Sequence, residues 1–196
     1  MNTNEIKLVL MSCCAPCSAG ALLQLKESPE IADFIVLFYN PNIFPESEYH
    51  KRLAEQIRLC NELGVKYAVH GADDYKREHA KWRECVRGME DQPERGKRCA
   101  ACFEMRFAFG VRWARDNGYN AITSVFGVSK WKDQFQVDTA ARNAAKNDEQ
   151  IAIDYIPIQW DDDLRQKTVN KSDFYRQKYC GCEFSFKEPT KKLSDK

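Results

Sequence analysis

The residues best equipped for chemistry are cysteines, and they come in three clusters. They are Cys13-Cys14-Ala15-Pro16-Cys17, Cys99-Ala100-Ala101-Cys102 and Cys180-Gly181-Cys182. Seven of the nine cysteines fall in these clusters, which lie far apart along the 196 residues. A tetrahedral zinc needs four thiolates. Seven thiols at short spacing suit a four-ligand iron–sulfur cluster with thiols left for a second metal or for redox exchange. Cys14/Cys17 and Cys99/Cys102 form C-x-x-C pairs, a spacing that lets two sulfurs reach one metal from a turn or helix start. Helix N-termini also favour the ionised thiol, and Arg95 and Arg98 add to that effect. The plainer alternative is a structural zinc held by both C-x-x-C pairs. A zinc ribbon closes within about twenty residues, though, and here more than eighty intervene. That arrangement also leaves Cys13, Cys180 and Cys182 without a role.

The C-x-C pair Cys180/Cys182 reads differently. Thiols two residues apart close only a strained, easily reduced disulfide, which suits an electron relay or a ligand pair better than a staple. Cys60 shares an apolar helical stripe with Tyr49, Leu53 and Ile57 and reads as core. Cys85, one turn from Trp82 and beside Val86, reads the same way.

The elements that must carry these thiols alternate in type. Strands are expected at Ile6–Met11, Asp33–Phe38, Val65–Val69, Ala121–Phe126 and Ile151–Ile158. Helices are expected from about Ser18 to Lys26, Glu46 to Leu63 with Gly64 as its cap, Asp74 to Met89, Cys99 to Asn117, Asp133 to Lys146, and Lys171 to Lys178. Glu90–Arg98, with Pro93 and Gly96, reads as a loop. Such alternation predicts one α/β domain over residues 1–186, with a mostly parallel five-stranded sheet, doubly wound, and a polar tail over 187–196. Ligands in such sheets bind beyond the carboxyl ends of the strands. The first cysteine cluster, Asn40 and the loop 125–132 all follow strands, so one crevice can gather them.

Composition sets bounds. The chain is 43% hydrophobic and carries a formal net charge of +1, so it reads as a globular protein with no global attraction to nucleic acid. The apolar run Leu8–Met11 before Cys13 is far shorter than the roughly 7–15 residues of a signal segment. Nothing approaches the roughly 18 apolar residues of a membrane span. A cytosolic location is expected, where clustered cysteines read as metal-binding or catalytic. Neither G-x-x-x-x-G-K-[ST] nor G-x-G-x-x-G is present, and Ser12–Cys17 stands where an ATP-pyrophosphatase loop would follow strand one. Asp161-Asp162-Asp163 reads as a loop and helix cap.

Five segments together resemble the QueH epoxyqueuosine reductases. They are Cys13-Cys14-Ala15-Pro16-Cys17-Ser18, Tyr39-Asn40-Pro41-Asn42-Ile43, Glu48-Tyr49-x-x-Arg52, Arg98-Cys99-x-x-Cys102, and Tyr175–Ser185 around the C-x-C pair. Thr123–Lys130 is similar to the family's Thr/Ser-rich segment ending in a lysine. The resemblance runs from Leu8 to Ser185. It implies a HUP-type (PP-loop-like) fold and a cobalamin-independent reductase that removes the epoxide oxygen from epoxyqueuosine at the wobble position of tRNA, the last step to queuosine. It further implies a [4Fe–4S] cluster on Cys13, Cys14, Cys99 and Cys102, a redox-active pair Cys180/Cys182, and a second metal, a mononuclear iron, toward which Cys17 is undecided. An external electron donor must reset the pair.

Tyr39, Asn40, Arg98, Lys130 and Arg176 are the substrate-binding candidates within these motifs. Basic residues around the second and third clusters, among them Arg83, Arg87, Arg95, Lys97, Arg106, Arg165, Lys167, Lys171 and Lys178, are candidates to track tRNA phosphates. Trp131, Tyr175 and Tyr179 are candidates to stack a base. Tyr179, Asp133 and His79 are proton-donor candidates by type alone. Two rival readings are a thiol-dependent tRNA sulfur-transfer enzyme on the same fold and a zinc-stabilised nucleic-acid-binding module.

Overall fold

A computed structural model describes residues 5–129, 132–146 and 152–187. Its sheet has five strands, all parallel: β1 (Ile6–Met11), β2 (Ile31–Phe38), β3 (Tyr67–Val69), β4 (Ala121–Ser124) and β5 (Asp154–Tyr155). Their order is β3-β2-β1-β4-β5, so the chain winds outward from β1 in both directions. Register is continuous at the centre, where Leu10 lies opposite Val36 of β2 and Thr123 of β4.

Successive side chains of a strand point to opposite faces, so β1, with four apolar residues in a row, must be covered twice. Val9 and Met11 pack against α4 (Lys97–Asp116) and α5 (Gln134–Lys146) through Phe107, Val111, Val137 and Ala141. Leu8 and Leu10 pack against α1 (Ala15–Lys26) and α2 (Glu46–Leu63) through Ala19, Leu22, Leu59 and Cys60. The expected doubly wound sheet is therefore present. Cys60 is core, as its stripe predicted.

The boundaries depart from expectation where tertiary contacts outweigh local pattern. β3 begins at Tyr67, and α3 (Tyr75–Cys85) stops short of Met89. β4 ends at Ser124 and gives way to a 3-10 turn, Phe126–Val128. β5 is two residues long, not the eight of Ile151–Ile158. It is an edge strand, and Pro157 offers no N–H to continue the ladder. Ile151 lies outside the described residues.

The largest correction concerns the helix expected at Lys171–Lys178. The helix lies upstream instead, as α6 (Asp162–Lys171), and Asp161 caps it by accepting the Leu164 N–H at 2.8 Å. Residues 173–179 are irregular because α2 satisfies them. Tyr175 N–H donates to the Glu55 carboxylate at 3.2 Å, Tyr175 Oη donates to Glu48 at 2.7 Å, and Phe174 is buried in the core. A short helix that the sequence reading lacked, α7 (Glu183–Lys187), follows the C-x-C pair. Among the described residues no helix is long and apolar enough to cross a membrane.

Candidate active site

β1 delivers the chain to Ser12 at the carboxyl edge of the sheet, and the first thiols follow at once. Cys14 is the extended N-cap of α1, and Pro16 starts the helix with the φ it requires. The Ser12 and Ser18 hydroxyls both donate to Gln56 Oε1 of α2, at 2.8 and 2.9 Å, which fixes the turn from both ends. Asn40, after β2, donates from Nδ2 to Ser12 O at 2.9 Å. Its Oδ1 accepts from Arg106 of α4, whose Nε also reaches Tyr39 O at 3.3 Å. The loops after β1 and β2 are thus tied to α4.

Cys99 and Cys102 sit in the first turns of α4, as their spacing implied. Cys180 and Cys182 arrive on the irregular C-terminal segment. That segment docks on residues 40–45: Ile43 and Cys182 form an antiparallel bridge, and Phe44 N–H donates to Gly181 O at 2.8 Å. Arg52, only 2% exposed, donates from Nη1 to Cys180 O at 3.1 Å and from Nη2 to Tyr179 O at 3.3 Å. Its Nε is paired with Glu48 at 2.7 Å. Gly181 has φ +122°, a region that disfavours side chains, and a Cβ there would lie 2.7 Å from Arg52 Nη1.

These segments enclose a small cavity of about 20 Å³. Cys99, Cys102, Cys180 and Cys182 line it together with Arg98, Arg106 and Lys132. Across Lys132 lie Cys13, Cys14 and Cys17, and Lys132 Nζ stands 3.3 Å from Cys13 Sγ. All seven motif cysteines therefore meet in one neighbourhood, and all nine cysteines are free thiols. Lys132 also lies over the Phe126 ring, 4.9 Å from its centroid, and Arg106 lies over the same ring at 3.7 Å.

The electrostatics separate the thiols. Cys13 is held well below the usual thiol range, first by hydrogen bonds from Cys14 and Cys17 and then by the Lys132 and Arg106 cations. Cys14 is pushed up for the reciprocal reason, and Cys17 up to about 12. Burial raises Cys99 to about 11 and raises Cys180 and Cys182. Burial acts to strip Lys132 of its proton, but the Cys13 and Cys180 sulfurs outweigh it and raise the ammonium's pKa. The crevice thus favours the ionised form of the Cys13 sulfur beside the protonated form of Lys132.

Among the described residues no three His, Cys, Asp or Glu side chains stand as a ready-made metal shell. The donor chemistry nevertheless fits an anionic iron–sulfur group. The cavity's charged and sulfur-bearing lining is four cysteines and three cations, and among the described residues no carboxylate lines it. Two lining side chains also carry buried polar atoms with no hydrogen-bond partner, Trp82 Nε1 and Asn42 Oδ1. An unused indole N–H in a cavity that four cysteines line is a ready donor to a thiolate or sulfide.

The other candidates are placed as follows. Arg98 lines the cavity, buried, with Nη1 donating to Glu90 O at 2.7 Å. Asn40 and Tyr39 are buried behind it; the Tyr39 ring stacks on Phe109 at 3.9 Å and its hydroxyl meets Glu78 at 3.3 Å. Arg176 is exposed on the irregular segment, outside the cavity lining. Lys130 and Trp131 lie outside the described residues. Arg83 and Arg165 are occupied by Glu183 and Asp162, whereas Lys97, Lys167, Lys171 and Lys178 are exposed. None of the three proton-donor candidates lines the cavity. His79 Nδ1 is 2.8 Å from Pro41 O, Asp133 accepts the Gln136 N–H at 3.1 Å, and Tyr179 donates to Phe44 O.

The sequence reading missed Lys132, Trp82 and the roles of Arg52 and Asn42. Arg52 and Asn42 stood within the motifs already singled out. Nothing in the sequence marks Lys132 as a lysine that turns inward; burial alone shows it.

A sequence profile described as epoxyqueuosine reductase QueH matches residues 8–188. Among curated proteins, the epoxyqueuosine reductase QueH of Histophilus somni (strain 129Pt) is 40% identical over 187 residues, covering 94% of this chain and 74% of that protein. Its namesake from Haemophilus influenzae is 38% identical with the same coverage. The one from Acinetobacter baylyi is 36% identical over 189 residues, 94% of this chain and 83% of that protein.

Proposed function

The chain belongs to the epoxyqueuosine reductase QueH family, and from that premise we propose that it converts epoxyqueuosine at the wobble position of tRNA to queuosine without cobalamin. The observation that carries this reading is the meeting of all seven motif thiols, from three distant segments, around one buried crevice with three cations. We assign a [4Fe–4S] cluster to Cys13, Cys14, Cys99 and Cys102, the redox pair to Cys180 and Cys182, and Cys17 to a second, mononuclear iron. A bound cluster would supply an electron path and an electrophilic iron.

The chain's own residues account for the rest. Replacing an epoxide by an alkene and water takes two electrons and two protons. Two thiols becoming one disulfide supply both, and an external reductant then restores them. Cys180 and Cys182 line the cavity with only Gly181 between them, held by Arg52 and the Phe44 N–H. Arg98, Arg106 and Lys132 stabilise negative charge on the departing oxygen in a water-poor cavity. Asn42 Oδ1 offers an acceptor to the polar edges of the substrate. Exposed Lys97, Lys167, Lys171, Arg176 and Lys178 serve as phosphate contacts for the anticodon arm. A cytoplasmic setting fits a tRNA substrate.

Mass spectrometry of tRNA nucleosides from a strain lacking the gene tests the activity. Epoxyqueuosine should accumulate, and Cys180→Ala or Cys14→Ala should fail to rescue. Normal queuosine in a deletion strain with no other reductase refutes the assignment. Anaerobic purification tests the cofactor: a colourless protein with one zinc per chain overturns the cluster.

A further inference from the structure

A second hollow, of about 400 Å³, lies beyond the carboxyl ends of β4 and β5, and the proposed chemistry leaves it unused. Val128, Ile158 and Trp160 form its apolar wall, and Gln134, Asp138 and Arg165 its polar edge. The Trp160 indole is fixed, because Nε1 donates to Ser124 O at 3.0 Å. Gly127 admits the Gln134 carboxamide into the wall, since a Cβ there would fall 1.5 Å from Gln134 Oε1.

The charges of this hollow argue against a phosphate. Arg165 is already bound to Asp162 at 2.6 Å, and Asp138 accepts from Gln134 and from Tyr155, each at 2.6 Å. Among the described lining residues no cation is left in excess, and an anion would face two carboxylates. A planar, neutral ligand with N–H donors on its rim is favoured instead. It would find an aromatic face in Trp160 and acceptors in the Gln134 amide and the Asp138 carboxylate. The volume lies within the range of small-ligand pockets and accommodates a nucleobase.

The hollow shares one loop with the thiol cavity. Phe126 packs beneath Arg106 and Lys132, and the next residue, Gly127, already lines the hollow. Lys132 N–H donates back to Ser129 O at 3.0 Å. Gly127 and Lys132 are five positions apart, which bounds their separation at about 18 Å. Neighbouring nucleotides of an unpaired loop, splayed apart, fall within that bound.

We propose that this hollow receives an unpaired nucleobase of the anticodon loop adjacent to the modified nucleotide, stacked on Trp160. The proposal rests on the tRNA substrate of the preceding reading and adds a second base subsite to it. A free nucleotide carries the same base chemistry, so the test separates the two sources.

The test is anisotropy of a labelled, unmodified anticodon stem-loop RNA titrated with the full chain, which needs no turnover. Removing the base at one position flanking the wobble nucleotide should weaken binding roughly ten-fold. Trp160→Ala should weaken the intact hairpin by a similar factor and be insensitive to that base removal. Trp160→Phe should restore binding, because the stacking face returns. Val128→Phe, which fills the hollow without leaving a void, should reproduce the loss if Trp160→Ala unfolds. The proposal is overturned if every base-less hairpin binds like the intact one, or if folded Val128→Phe binds like wild type. It is equally overturned if adenosine monophosphate displaces the hairpin, which makes the hollow a free-nucleotide site. Base-dependent binding without reduction of epoxyqueuosine would sink the proposed activity and leave the subsite standing. Turnover with base-independent binding would do the reverse.

Discussion

Arg52 reaches across from α2 to hold the carbonyl oxygen of Cys180 at 3.1 Å, so a buried guanidinium fixes the backbone of the proposed redox pair. The same side chain is neutralised by Glu48 at 2.7 Å and packs over the Tyr179 ring at 5.3 Å. One residue of the second helix thus joins Ile43 and Phe44 in fixing where the C-terminal thiols sit.

Arg52→Ala leaves Glu48 buried and uncompensated, and the expected loss is about 3–5 kcal/mol. Urea unfolding measures it. Alkylation of Cys180 in the native variant should accelerate, because the segment loses its anchor. Arg52→Lys should recover part of the stability but less of the slow alkylation, since one ammonium cannot match the forked donors. Unchanged alkylation in a folded Arg52→Ala variant would show that the bridge to Ile43 alone holds the pair.

Gly181→Ala combines an unfavourable backbone conformation with a clash against Arg52 Nη1. A loss of about 1–3 kcal/mol is expected, and queuosine formation should fall more steeply than the folded fraction. Unfolding curves and tRNA nucleoside analysis on the same variant separate the two effects.

Lys132→Met removes the cation next to Cys13. Iron and sulfide retained after anaerobic reconstitution should drop, with activity lower by about 10–100-fold. Lys132→Arg should retain more of both because the charge remains. Equal metal content in Lys132→Met and wild type would remove Lys132 from the site's electrostatics.

Glu183, the first residue of α7 and next to Cys182, pairs with Lys187 of the same helix at 2.9 Å and with Arg83 of α3 at 2.8 Å. Burial works to raise its pKa, but the Lys187, Arg83 and His79 charges win and lower it. A carboxyl depressed in the folded state contributes stability that is complete above its unfolded value, about 4.3, and lost as pH falls through the folded one. Wild type should therefore exceed Glu183→Gln in stability at pH 6, with the gap closing as pH drops below about 4. A constant gap across that range in urea titrations would show that Glu183 acts through packing alone.

Much of this architecture is local information. The run Leu8–Met11 forces a twice-covered strand, Gly64 ends α2 in the left-handed conformation, and Cys99/Cys102 open α4 as their spacing implied. The cysteine clusters advertised a shared sulfur site because thiols at such spacing have few other uses. The C-terminal segment was illegible for the opposite reason. Residues 173–179 satisfy their backbone and side chains on α2 and on residue 44, 115 or more positions away in sequence, so no local pattern describes them.

By itself, then, the sequence determined which atoms could do chemistry and that a wound sheet would bring them to one edge. Those properties follow from residue type and short-range periodicity. Only the tertiary structure decided that Lys132 turns inward to Cys13, that Asn40 and Tyr39 brace the site from behind, and that Arg52 sets the C-x-C pair. Burial and charge pairing are properties of neighbours, and these neighbours become adjacent only when distant segments pack.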